Sequence, residues 1–199
     1  MTSSIQKNEM TSGTIRAFIA IEISDELKEK LREIQTLIAG RMRGLNLPEK
    51  DSIHLTVKFL GNVDESAAPG IARALETACA AVRPFTLVAE GVGGFPSLRS
   101  PRVAWVGIKD EGALSRLHAD IEDRLVGLGI DRETVRYRPH ITLCRARSIA
   151  ESQDLSRVVN ELQPALRVEF PAAELVFFKS VLTPKGPVHT PIARVGFGG

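Results

Sequence analysis

Apolar positions recur along this chain at two spacings, every second residue and every third or fourth, and the changes between them mark its elements. Ile15 to Ile23 is almost unbroken in β-branched and aromatic residues and predicts a well-buried strand. Leu27, Leu31, Ile34 and Ile38 then keep one helical face apolar, with Ser24 as N-cap, Asp25 and Glu26 in the first turn and Gly40 as the stop. Arg41 to Lys50, carrying Gly44 and Pro48, reads as a loop. Ile53 to Leu60 alternates: His54, Thr56 and Lys58 share one face, Leu55, Val57 and Phe59 the other, and Gly61-Asn62 ends the strand. Ser66 is placed to cap a second helix through Val82, with Pro69 in its first turn, where a missing N–H costs nothing. Phe85 to Glu90 is the next strand, and Gly91 to Pro101 is rich in turn residues.

The same order then restarts. Arg102 to Ile108 predicts a strand, Leu114, Leu117, Ile121, Leu125 and Leu128 an amphipathic helix stopped by Gly129, and His140 to Arg145 another alternating strand. A short helix around Leu155, Val158 and Leu162 ends at Pro164, strands follow at Leu166 to Phe170 and Leu175 to Val181, and the tail beyond Pro184 is loop with room for one last strand. His54 and His140 stand 86 positions apart, as do Arg16 and Arg102. A shared offset between two similar series of elements points to a duplicated unit. The fold expected is α+β, two antiparallel sheets related by a pseudo-twofold axis and lining a central cleft, with helices outside. Residues 1–13 read as a disordered extension, and residues 14–199 as one bilobal domain with lobe cores at 15–90 and 102–181.

Composition changes little in this picture. Apolar and charged residues make up 43% and 25% of the 199 residues, which suits a globular protein and excludes disorder on compositional grounds. Lys and Arg number 26 against 24 Asp and Glu, so attraction to phosphate has to be local. The densest basic stretch is Arg132, Arg136, Arg138, Arg145 and Arg147, around His140 and against the single acid Glu133. Near-neutral total charge predicts binding through a small footprint, with modest salt dependence. Cys79 and Cys144 are too few for a disulfide framework and form no zinc-type cluster; with no signal peptide or membrane-spanning run, a cytoplasmic and monomeric protein is expected.

The chemistry lies in His54-Leu55-Thr56 and His140-Ile141-Thr142. Residues i and i+2 of a strand project from one face about 7 Å apart. Each motif therefore sets an imidazole, which exchanges protons near neutral pH, beside a hydroxyl able to hold a phosphate oxygen. A pseudo-twofold axis turns the two pairs toward a common point. That arrangement suits in-line displacement at phosphorus, one histidine taking a proton from water and the other giving one to the leaving oxygen, with the threonines and a local arginine on the non-bridging oxygens. No metal or other cofactor is expected.

With its paired motifs and their flanks (RAFIAI, HLTVKFLG, GVGGFP, RVAWVGI, YRPHITLCRAR and FFKSVLTPKGPVHTPI), the chain resembles the 2H phosphoesterase superfamily from about Arg16 to Phe197, specifically the RNA 2′,3′-cyclic phosphodiesterases also called 2′-5′ RNA ligases. The resemblance implies a bilobal cleft and hydrolysis of RNA 2′,3′-cyclic phosphate ends to a 2′-phosphate. His54 would donate to the departing 3′-oxygen, His140 would activate water, and Thr56 and Thr142 would hold the phosphate. His189 departs from the family pattern, which often has tyrosine there. Two other readings stand beside it: reversible, ATP-independent 2′-5′ ligation, and a non-catalytic module that binds nucleotides or RNA ends.

Further candidate substrate contacts are Lys58, Arg138, Arg145 and Phe95. Lys58 shares the parity of His54. Strict alternation turns Arg145 away from the cleft unless a bulge re-aims it. Phe95, in a Gly-rich turn, is placed to stack on a base, whereas Trp105 and His118 read as packing residues. Cys144 has cleft-facing parity but no base beside it.

Overall fold

The computed structural model describes residues 13–162, 166–184 and 186–198. The expected N-terminal extension, Gly13 aside, and the proline expected to end the last helix lie outside them. Nine strands and four helices follow one another among the described residues: β1 (Thr14–Glu22), α1 (Asp25–Arg41), β2 (Leu45–Asn46), β3 (His54–Asp64), α2 (Ala68–Cys79), β4 (Phe85–Phe95), β5 (Val103–Lys109), α3 (Ala113–Val126), β6 (His140–Ala146), α4 (Ile149–Leu162), β7 (Arg167–Ala172), β8 (Glu174–Thr183) and β9 (Gly186–Gly196).

They form two antiparallel sheets, ordered β3-β1-β8-β9 and β2-β6-β5-β4-β7. This is the expected α+β class, but the lobes are not the two halves of the sequence. β4 crosses from the first half to pair with β5, and β8 returns from the second to pair with β1. Backbone hydrogen bonds across both sheets thus tie the halves together. The helices bury the apolar stripes read from the sequence, Leu27, Leu31, Ile34 and Ile38 on α1 and Leu114, Leu117, Ile121 and Leu125 on α3. One continuous core joins them to both sheets. Each such side chain contributes about 1.5–3 kcal/mol on full burial.

The ladders show the duplication more exactly than the arginine offset does. His54 pairs with Glu22 and His140 with Gly107, Thr56 with Ala20 and Thr142 with Trp105, Phe59 with Phe18 and Arg145 with Val103. β3 therefore maps onto β6 with an offset of 86, and β1 onto β5 with an offset of 85. Arg16 and Arg102 fall one residue out of correspondence, so their common offset of 86 is accidental.

Several element ends differ from the sequence reading. β3 runs on through Gly61, which takes φ 69° at a bulge. Asp64 rather than Ser66 supplies the capping oxygen of the short turn before α2, accepting the Ser66 N–H at 2.8 Å, and α2 stops at Cys79. The glycines after Glu90 belong to β4 and not to a turn. Trp105 covers Gly93 so closely that a Cβ there would lie 2.2 Å from its ring. The tail is a full strand, β9, in a hairpin with β8.

Candidate active site

Each His-x-Thr motif is followed by a β-bulge at the same place. Thr56 and Lys58 face Ala20 and Ile19, adjacent residues of β1, so Val57 is the extra residue; Thr142 and Cys144 face Trp105 and Ala104, so Leu143 is extra in β6. A bulge reverses the parity of everything after it. Up to the threonine, alternation holds and both motifs face inward. Beyond it, Val57 and Lys58 are both buried, as are Leu143 and Cys144, while Phe59 and Arg145 emerge on the motif side.

The result is a cleft of ≈ 520 Å³ between the sheets, lined by His54 and Thr56 from one motif and His140, Thr142 and Arg145 from the other. Arg16, Phe18, Phe59 and the β8–β9 hairpin residues Leu182, Val188 and His189 are among the other residues of its walls. The imidazoles are oriented alike. Nδ1 of His54 lies 2.8 Å from the Ser52 carbonyl, and Nδ1 of His140 lies 2.7 Å from that of Arg138, again two residues upstream. A carbonyl only accepts, so Nδ1 carries the hydrogen and Nε2 is left to exchange a proton.

Aromatic rings support both. His54 stacks on Phe18 with centroids 4.6 Å apart, and Phe178 lies beneath at 5.1 Å from Phe18. His140 meets Phe95 edge-on at 4.9 Å and Trp105 at 6.1 Å. Burial, with like charge from nearby His189, pushes the pKa of His54 down to about 4, against the opposing pull of the Ser52 carbonyl and Glu22. Burial also lowers His140, opposed by the Arg138 carbonyl and assisted by the Arg145 guanidinium. Both imidazoles are thus neutral in the free protein at neutral pH.

Lys58 is not in this cleft. The bulge turns it into the core, 1% exposed, where its Nζ donates to Glu122 Oε1 at 2.6 Å and to the Asp131 carbonyl at 3.1 Å. Cys144, given cleft parity by strict alternation, is buried for the same reason, and burial pushes its thiol up to about 11. Arg138 offers its carbonyl to His140 while its side chain is exposed away from the cleft lining. Phe95 packs behind His140 and is not part of the lining either. His118 stacks on Tyr137 at 4.0 Å, and the Tyr137 hydroxyl donates to the Thr56 carbonyl at 3.2 Å. Phe18 and Phe59 are cleft residues that the sequence does not reveal: Phe18 sits in an unbroken apolar run that carries no parity, and Phe59 depends on the bulge. Arg16 stands out in the sequence only for its offset.

Duplicated motif strands, matching bulges and two carbonyl-anchored imidazoles across one cleft define a two-histidine phosphoesterase architecture. The sequence profile of the 2′-5′ RNA ligase superfamily matches residues 19–182, and the chain belongs to that family. It is similar to the RNA 2′,3′-cyclic phosphodiesterases of Archaeoglobus fulgidus (31% identical over 175 residues, 88% of this chain and 96% of the relative) and Methanocaldococcus jannaschii (32%, with the same coverage). Among solved structures, TT0787 of Thermus thermophilus superposes with a TM-score of 0.77 at 27% identity, covering 93% of this chain and 99% of that one. LigT of E. coli complexed with 3′-AMP shares the fold at the same TM-score and 23% identity, covering 94% and 100%.

Proposed function

We propose that this protein hydrolyses 2′,3′-cyclic phosphate ends of RNA to 2′-phosphates by paired-histidine acid–base catalysis. One observation carries the reading: two His-x-Thr pairs from different sheets line one cleft, each with its histidine Nδ1 held by the carbonyl two residues upstream. Phosphorus sits between the imidazoles. Nε2 of His140 removes a proton from water as it attacks, and Nε2 of His54 gives one to the 3′-oxygen as the P–O bond breaks. Thr56 and Thr142 donate to the non-bridging oxygens, and Arg145 balances charge developing there.

The division of roles, donor at His54 and acceptor at His140, follows the family resemblance, since burial lowers both imidazoles. His54 has Glu22 as a counterweight, yet burial and His189 hold it neutral until the anionic substrate arrives. Substrate and proton therefore bind together at His54.

The test uses a short RNA ending in 2′,3′-cyclic phosphate, with chelator present. Wild type is expected to yield a 2′-phosphate end, and His54→Ala and His140→Ala to lose turnover by at least about 100-fold, the low end of the general acid–base contribution. Either variant turning over at the wild-type rate, or a 3′-phosphate product, rules the mechanism out.

A further inference from the structure

The pseudo-twofold axis that makes the two motifs alike is broken just beyond them. Past the cleft, β3 runs out through Asn62 and Asp64 toward Glu65. The corresponding end of β6 carries Arg145 and Arg147. Two neighbouring strands add to it. β5 is entered at Arg102, whose carbonyl accepts the Ala146 N–H at 2.9 Å. β2 is entered just after Arg43, with Leu45 paired to Ala146 and Asn46 to Arg145.

All four arginines are exposed, and none forms an ion pair with a carboxylate among the described residues. The acid nearest this group, Glu151, is already engaged: its Oε2 accepts the backbone N–H groups of Arg147 and Ser148, both at 2.8 Å, in the capping box of α4. Four like charges on adjacent strand ends, with the Glu151 carboxylate beside Arg147, leave a net positive edge that favours an anion lying across it. Arg145 lies near the end of β6, and Arg147 lies in the bend just past that end.

We infer that Arg43, Arg102 and Arg147 form a phosphate track that holds the single RNA strand upstream of the terminal nucleotide, so that the chain leaves the cleft over the β2-β6-β5 end and not over β3. This rests on the proposed phosphodiesterase reading for the identity of the strand. It also changes the expectation drawn from total charge, because near-neutrality of the whole molecule conceals a local basic ridge continuous with the site.

Two substrates separate the inference from that reading: a nucleoside 2′,3′-cyclic monophosphate, which reaches only the cleft, and an octanucleotide with the same end. Wild type is expected to prefer the octamer, and Arg43→Gln/Arg102→Gln/Arg147→Gln to keep mononucleotide turnover within about twofold while losing the preference. In parallel, anisotropy with a labelled octanucleotide ending in 2′-phosphate measures binding without turnover. Releasing counterions from three single-strand phosphates makes wild-type affinity fall about 20-fold more for the octamer than for the mononucleotide between about 50 and about 200 mM salt. The triple variant should show almost no such difference. Equal affinity of wild type for both lengths, or an octamer affinity unchanged by the substitutions, overturns the track. Failure of wild type to open either cyclic phosphate would overturn the proposed function instead, and the binding measurement still decides the track.

Discussion

Replacing Lys58 by methionine removes a charge that the sequence placed in the cleft and the fold places in the core. Lys58 is 1% exposed and Glu122 4%. The ammonium lies 2.6 Å from Glu122 Oε1 and 3.1 Å from the Asp131 carbonyl, and Glu122 Oε2 accepts the Glu133 N–H at 3.1 Å. Methionine fills the stem's volume but leaves a buried carboxylate with one backbone donor and with His118 Nε2 3.6 Å from its Oε1. Breaking one side of a buried pair costs about 3–5 kcal/mol. For a chain of this size each kcal/mol moves the midpoint by about 2–4 °C, so the melting temperature should fall by roughly 6–20 °C. Lys58→Met/Glu122→Leu, which removes both charges, should be more stable than Lys58→Met alone, giving a coupling of at least about 2 kcal/mol in a double-mutant cycle by urea denaturation. A loss under about 1 kcal/mol, or additive effects of the two substitutions, would refute the reasoning and return Lys58 to the list of cleft residues.

Three further outcomes are expected. Because both imidazoles are lowered, kcat/KM should follow a bell whose limbs lie between about 4 and the ordinary histidine value near 6.5: activity falls as pH drops and the base is protonated, and falls as pH rises and the acid loses its proton. An optimum at or above about pH 7.5 in initial-rate measurements would contradict this. Thr56→Val and Thr142→Val keep the strand shape but remove a donor to a charged phosphate, worth about 1.5–3 kcal/mol, so kcat/KM should fall by about 10- to 150-fold with an unchanged melting curve; a loss below threefold would remove the threonines from the phosphate site. Gly93→Ala brings a methyl group to 2.2 Å from the Trp105 ring, which packs against His140. Overpacking of this kind costs about 1–3 kcal/mol, so both stability and turnover should drop, and a variant with wild-type values of both would show that the ring moves freely.

Much of the site was legible because strand periodicity is a local property. His54 with Thr56 and His140 with Thr142 share faces by the pleat alone, and helices α1 and α3 bury the stripes that their spacing marks. The pairing of two such motifs in one chain carried the chemistry as well, since proton exchange and phosphate binding belong to the side chains themselves. Parity beyond the threonines was not legible. A bulge is a relation between two strands, visible only when a residue of β3 or β6 has no partner on β1 or β5, and it exchanged Lys58 for Phe59 and Cys144 for Arg145 at the cleft. The swapped strands were hidden for the same reason: nothing local to β4 or β8 says which neighbour it will pair with, and the glycines of β4 look like a turn until Trp105 is laid over them. Chain-local patterning thus determined which groups are able to do the chemistry and which face they share, whereas cross-strand register and sheet closure decided which charges line the cleft and which lie in the core.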